Sequence, residues 1–496
     1  MPKSNIRNTM TETSTLVANG LSMAFIKEFR ANYLLRQPHL TLWEVRNTIV
    51  APQIIEAGKS LVDLYRDHTD AKAIPYVNTA SVYVCFSWSD SALDVLNSMI
   101  QYGQEQYQSP YFWFEIFATD VRENNAEEAG YYTTSLRRLI REIGHTLIVL
   151  TDFQNSRSLH RLRSIWEILC SLRTQSKITI QMPVKSYQEL CTNLVKHKNG
   201  FEEAKEYLCK LKVRNAETSN EEEKLILTKC LKDYRLDRAE NKIKDFLENW
   251  IAIQGKIAAA DLLDRNDKSS GLDGIKTTAF LGEYTIKINK LQTIRELMHK
   301  AEFRAKTFIE NDTSIPEMLS LYTSLALSYQ NDNDQKTAIG YYESALMICK
   351  QFFYDDNEKI RDALMNLANA LLEIGQEDLA LQQFEEALCV NESKTVEKAD
   401  ILTAKADIHA NNEDDERAQQ LYHEARQIYE EILGKRHTKV GTVYLKESII
   451  WYKLENYKLS KKLAERSLSI ITICDPDNEE MIQRTKELLS SVAKRT

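Results

Sequence analysis

RDALMNLANALLEIGQEDLALQQFEEAL, residues 361–388, sets small residues at Ala368, Ala380 and Ala387 and a bulky one at Phe384, the pattern of a helical hairpin. The hairpin recurs. Ala338, Tyr342 and Ala345 return as Ala380, Phe384 and Ala387, then as Ala418, Tyr422 and Ala425, then as Ser460, Ala464 and Ser467, at spacings of 42, 38 and 42 residues. Twelve residues before each first position stands another small residue, Ala326, Ala368, Ala406 and Ser448, followed three later by Tyr329, Leu371, His409 and Trp451. Small residues let antiparallel helices approach closely, and bulky ones plug the groove between neighbours. A stack of such pairs predicts a long concave surface, which suits docking of a peptide or protein better than chemistry.

Residues 361–388, together with Ile428–Val440 (IYEEILGKRHTKV), resemble the tetratricopeptide repeats (TPRs) of kinesin light chains. The resemblance implies an all-α TPR superhelix over residues 275–475, with four clear repeats and one degenerate repeat marked by Gly282, Ile294, Met298 and Ala301. A capping helix, Glu479–Val492 within residues 476–496, would close the last apolar face. His437-Thr438 stands where that family has histidine-proline, and the early asparagine of the first helices survives as Asn366. Asn366, Asn369 and Asp407 are the candidate partner-binding residues. Another TPR subtype grips a C-terminal carboxylate with basic residues. The matching positions here include Ser320, Thr323, Asp400, Thr403 and Asp407, which disfavour that ligand.

Bulk properties bound the rest of the chain. Its 496 residues suit two to four domains, and only 14 glycines and 8 prolines point to a helix-rich protein. A net charge of −8 argues against a binder of nucleic-acid phosphates. Eight dispersed cysteines without ligand spacing read as reduced thiols, so no metal site is expected and a cytoplasmic location is. Residues 1 to about 20 are polar and expected to be disordered; neither a signal peptide nor a membrane span is evident. Thr41–Tyr65 carries helical periodicity with a break at Pro52, so residues 1–75 form a tail and helical lead-in.

Between Tyr76 and Leu172 the periodicity changes. ASVYVCF (80–86), YFWFEIF (111–117), TLIVLT (146–151) and KITIQMP (177–183) are short strand-like runs alternating with helical segments near 92–102, 135–143 and from Leu159. Ala118–Gly130 reads as a polar loop. Alternation of this kind predicts a parallel sheet covered on both faces, with functional groups at the C-terminal strand ends. An α/β domain is expected over residues 76–185, a charge-rich helical extension with a Ser219–Lys224 break over 186–263, and a linker at 264–274, DRNDKSSGLDG.

The strand VYVCFSWSD, the run YFWFEIF, the unit SLRRLIREIGHTLIVLT and a helix carrying WEIL resemble the Toll/interleukin-receptor (TIR) domain, in particular the TIR-like domains of protists and algae. That family implies a flavodoxin-like α/β fold. Some TIR domains cleave NAD at the nicotinamide–ribose bond, and their glutamate carries over to Glu167, where a carboxylate would stabilise an oxocarbenium-like ribosyl centre. Ser87, Trp88, Ser89 and Trp113 are then candidates for the nucleotide pocket, and NAD would be a substrate, with no cofactor required. The alternative is a solvated carboxylate at Glu167 and a packing role for Trp166. No Walker motif, GxSxG elbow or HExxH occurs, and His145 reads as structural. The expectation is a cytoplasmic interaction scaffold or signalling adaptor that docks a partner on the TPR array and self-associates through the TIR-like domain. An NAD hydrolase is the alternative, and a cargo adaptor like a kinesin light chain ranks third.

Overall fold

A computed structural model describes residues 18–119, 134–154, 157–196, 199–209, 216–218, 221–309, 316–390 and 394–495. The expected disordered tail up to residue 17 and most of the 118–130 loop lie outside the described residues. The chain divides into two compact units, one ending at Lys290 and the other starting at Leu291.

The first unit is built on a six-stranded mixed sheet. Its strands are β1 Asn19–Ser22, β2 Val77–Thr79, β3 Val82–Cys85, β4 Tyr111–Trp113, β5 His145–Val149 and β6 Lys177–Gln181, in the order β2-β1-β4-β3-β5-β6. β4, β3, β5 and β6 run parallel, and β1 pairs antiparallel with both β2 and β4. Side chains alternate between faces. Val82, Val84, Phe112, Leu147 and Val149 join a core with Phe25, Phe29, Leu42, Leu96 and Met99, under helix Ala92–Gln104 and the lead-in helices. Cys85 and Thr146 point the other way, toward helix Leu162–Thr174, where Cys85 Sγ meets the Ser164 carbonyl at 4.0 Å and Thr146 Oγ1 bonds Ser171 Oγ at 2.7 Å.

Three expectations are corrected. β1 was not foreseen: its four residues, NGLS, are too few for a period to show, and Gly20 is needed because a Cβ there would meet the backbone of Phe112 at 2.9 Å. The run 111–117 is a strand only to Trp113, and Glu115–Ala118 turns into a short helix whose Phe117 packs in the core. The supposed linker 264–274 is largely helical, since Lys268–Lys287 forms one helix capped by Asp267. Its glycines serve packing: a Cβ on Gly274 would fall 2.9 Å from Leu263, and Gly255 on the preceding helix, Leu236–Asp264, admits the Phe201 ring, which stacks on Tyr284 at 5.3 Å.

The second unit opens with a 3-10 turn at Leu291–Ile294 and helix Arg295–Ile309 and continues, among the described residues, as four antiparallel hairpins. They are Met318–Asn331 with Gln335–Phe352, Asn357–Glu373 with Glu377–Cys389, Val396–Asn411 with Asp415–Leu433, and Thr438–Lys453 with Tyr457–Cys474, followed by helix Glu479–Ala493. The repeating small residues are buried, as are Tyr342, Leu371, Phe384 and Tyr422, while Tyr329, His409 and Trp451 are half-buried. Where serine replaces alanine, a backbone carbonyl accepts its hydroxyl: on the facing helix Ser460 Oγ donates to Ser448 O at 2.8 Å and Ser467 Oγ to Gly441 O at 2.7 Å, and within its own helix Ser448 Oγ donates to Leu445 O at 2.6 Å. Each buried hydroxyl therefore avoids the cost of an unmet hydrogen bond.

Candidate functional site

In the first unit, the turn after β3 is held from three directions. The lead-in supplies backbone bonds, Leu42 N–H to Asp90 O at 3.0 Å and Trp43 N–H to Trp88 O at 2.9 Å. Asp90, 1% exposed, accepts from Ser87 N–H at 3.0 Å, Thr151 Oγ1 at 2.9 Å and Ser158 Oγ at 3.2 Å. Burial raises its carboxyl above the usual range against those bonds, and the network ties the ends of β3 and β5 together. Ser87 and Ser89 hydroxyls meet at 3.1 Å, Arg157 donates to Ser89 O at 2.6 Å, and the Arg161 guanidinium lies 5.7 Å from the Trp88 ring.

Glu167 lies deeper. It shares Arg163 with two other buried carboxylates: Arg163 Nε is 3.1 Å from Glu167, Nη2 is 2.6 Å from Glu115, and Nη1 is 4.0 Å from Glu223. Burial pushes the Glu167 carboxyl up, opposed first by Arg163 and then by Arg161, while Glu115 adds to the rise. Glu223 belongs to helix Glu221–Asp233, and just before it Glu217 exchanges backbone bonds with Leu162 and His160, both at 2.8 Å. The Glu167 side chain is only 4% exposed. Trp113 stands apart from the turn, stacked on Tyr83 within the sheet at 5.0 Å. The structure thus groups Ser87, Trp88 and Ser89 with Asp90, Arg157 and Arg161, and groups Glu167 with Arg163, Glu115 and Glu223. Asp90, Arg157, Arg161 and Arg163 are not site candidates from the sequence because nothing local marks a charged residue as buried; adjacency to the SWS turn is the signal available for Asp90, and the motif that carries Glu167 the signal for Arg161 and Arg163.

His145 accepts or donates through Nε2 to Thr179 Oγ1 at 2.9 Å and through Nδ1 to Tyr102 OH at 3.3 Å. Burial, and then Lys177, lowers its pKa to about 4. Among the described residues no cluster of three or more histidine, cysteine or carboxylate side chains is arranged to hold a metal ion. No described helix is long and apolar enough to cross a membrane.

In the second unit, side chains bridge successive first helices. Gln330 reaches Glu373 at 2.8 Å, Lys439 holds Asp400 at 2.7 Å, and Lys446 holds Asp407 at 2.5 Å. Tyr429 and Tyr422 donate to the same two aspartates, and burial, joined by the aspartate in each case, pushes both phenols up in pKa. Asp407 is therefore engaged within the array. On the first helix of the second hairpin, Asn369 is exposed and Asn366 half-buried, and neither side chain has a hydrogen-bond partner among the described residues.

Residues 361–394 and 399–438 match the family model of the tetratricopeptide repeat. No curated protein matches the chain. Among solved structures, BtubC (BKLC) from P. vanneervenii is similar at 20% identity, over 45% of this chain and 84% of that one, with a TM-score of 0.34. A Podosopora anserina chain described as a kinesin light chain of nearly identical TPR-like repeats shares 16% identity over 40% of this chain and 95% of its own, TM-score 0.34. The quorum sensor NprR from B. thuringiensis, in its apo form, shares 16% identity over 61% of this chain and 79% of its own, TM-score 0.36. The second and third hairpins of the C-terminal unit are thus tetratricopeptide repeats by sequence as well as by helix pairing.

Proposed function

We propose that the protein is an interaction scaffold whose TPR array docks a peptide or protein segment along its first helices, with Asn366 and Asn369 contacting the partner backbone. The observation that carries this reading is the pair of uncommitted asparagine amides on a helix whose neighbours spend their polar groups on one another. A side-chain amide has both donor and acceptor and suits recognition of an extended main chain. Asp407 enters as a holder of the inter-helix spacing. Residues 291–496 carry 26 basic against 36 acidic side chains, so a basic segment is favoured. The test is peptide display against the full chain. Enriched peptides should be rich in Lys and Arg and should lose at least tenfold in affinity on Asn369→Arg; no enrichment, or indifference to that variant, sinks the reading.

A second reading concerns the first unit, as a signalling or self-associating domain of the TIR type. The parallel strands follow the order second-first-third-fourth, which supports a flavodoxin-like topology with its switch point between β3 and β5. Ser87, Trp88 and Ser89 stand at that point, and Glu167 is on the helix leading from β5 to β6. Cleavage of NAD there would require the Glu223 helix to withdraw, since Glu167 is otherwise shut in with Arg163. Nicotinamide release that is unchanged in Glu167→Gln, or absent from concentrated protein, removes the enzymatic form of this reading.

A further inference from the structure

A second polar recess in the first unit involves none of the residues discussed so far. Helix Met23–Phe29 with its continuation Arg30–Leu34, helix Ala92–Gln104, and the start of helix Val184–Lys196 border a cleft of about 530 Å³. This volume lies within the range of small-molecule sites, roughly 300–1,000 Å³. Lys27 and Arg30, one helical turn apart, and Lys185 supply three cations against one carboxylate, Asp94. Asn97 Oδ1 accepts from Arg30 Nη1 at 2.8 Å and fixes the guanidinium in place.

Two details distinguish this recess from an ordinary solvated groove. Among the described residues, Arg30 Nε is buried without a hydrogen-bond partner, and so is the hydroxyl of Ser98, a fully buried residue lining the cleft. Orphaned polar atoms of this kind cost free energy unless a small shift of the cleft wall brings them to a partner. The third border is a helix start, whose first N–H groups lack intrahelical acceptors and favour an anion. Asn97 and Gln101, four residues apart, add amides able to donate or accept.

We propose that this cleft binds a small phosphate-bearing anion, held by Lys27, Arg30 and the N-terminus of helix Val184–Lys196, with Lys185 at the rim. Enclosure by three elements favours a small molecule over a flat lipid surface. A phosphate matches the donors-only chemistry of the two main cations, and the room beyond it takes an organic substituent.

Calorimetric titration of the full chain tests this with inorganic pyrophosphate, ADP, uncharged adenosine, and vesicles containing phosphatidylserine. Pyrophosphate, ADP or both should bind, adenosine should not, and the affinity should fall as salt is raised. Binding of ADP in preference to pyrophosphate assigns the phosphate to a nucleotide-like carrier; the reverse assigns it to a free anion. Arg30→Gln should weaken binding at least tenfold. Lys185→Glu, at an exposed position that cannot threaten folding, should weaken it at least threefold. Heat from neither phosphate compound, binding to vesicles alone, or an affinity unaltered by Lys185→Glu and Lys27→Gln overturns the proposal.

Discussion

Two side chains in the first unit, the half-buried His145 and the buried Arg163, are informative by their charge states. His145 is held neutral: its folded pKa of about 4 lies below the unfolded value near 6.5. Between those values the unfolded chain binds the extra proton, so the contribution is complete above about pH 6.5 and fades as pH falls toward 4. Tyr102, Thr179 and Lys177 face the ring, and none supplies a negative charge that would favour the imidazolium. The thermal midpoint should drop between pH 6.5 and 4, and less steeply in His145→Gln; equal slopes in the two proteins would contradict this. Arg163 is the other case, one guanidinium serving three buried carboxylates. Arg163→Met strands those charges and should cost about 3–5 kcal/mol in urea unfolding, whereas Glu223→Gln should cost well under half as much.

At the level of the element, each hairpin turn repeats one backbone feature. Asn333, Gly375, Glu413 and Glu455 all have φ between 60° and 73°, specifically 62°, 73°, 63° and 60°, at the same spacings as the helix-packing residues. Only one of the four is glycine, the residue that tolerates this conformation without strain. Glu413→Gly should therefore stabilise the array by about 0.5–1 kcal/mol, since relief of left-handed strain outweighs the added freedom of the unfolded chain. A lower denaturation midpoint would refute that. These turns show why the second half was legible from sequence and parts of the first were not. Hairpin packing needs small residues at fixed intervals, so Ala368, Ala380 and Ala418 announce themselves. A four-residue edge strand such as Asn19–Ser22 has no period to detect, and the glycines of 264–274 look like those of a linker until a second helix is placed against them. Of the candidate site residues, Ser87, Trp88 and Ser89 do share a strand-end turn, because strand ends can be located from apolar runs. Their partner Arg161 comes from a distant segment, and the ion pair that occupies Asp407 depends on a lysine 39 residues away.

For the whole molecule, the division after Lys290 has a mechanical meaning. Each unit encloses its own core, the first around the sheet and the second along the hairpins. Denaturation followed by near-ultraviolet absorption should resolve two transitions, and a chain comprising residues 291–496 should fold with the helix content of its share of the full protein. A single transition shared by both halves, or an unfolded fragment, would show that neither unit is self-sufficient.

That division also separates the charge. With 26 basic and 36 acidic side chains after Lys290, out of 64 and 72 in all, the excess of negative charge resides wholly in the hairpin unit. A protease that nicks the connection would release two fragments of opposite chromatographic character, one running through an anion-exchange column at neutral pH and one retained until salt elutes it. Purification would then sort the halves without a tag, and contaminating polycations would copurify with the second fragment alone.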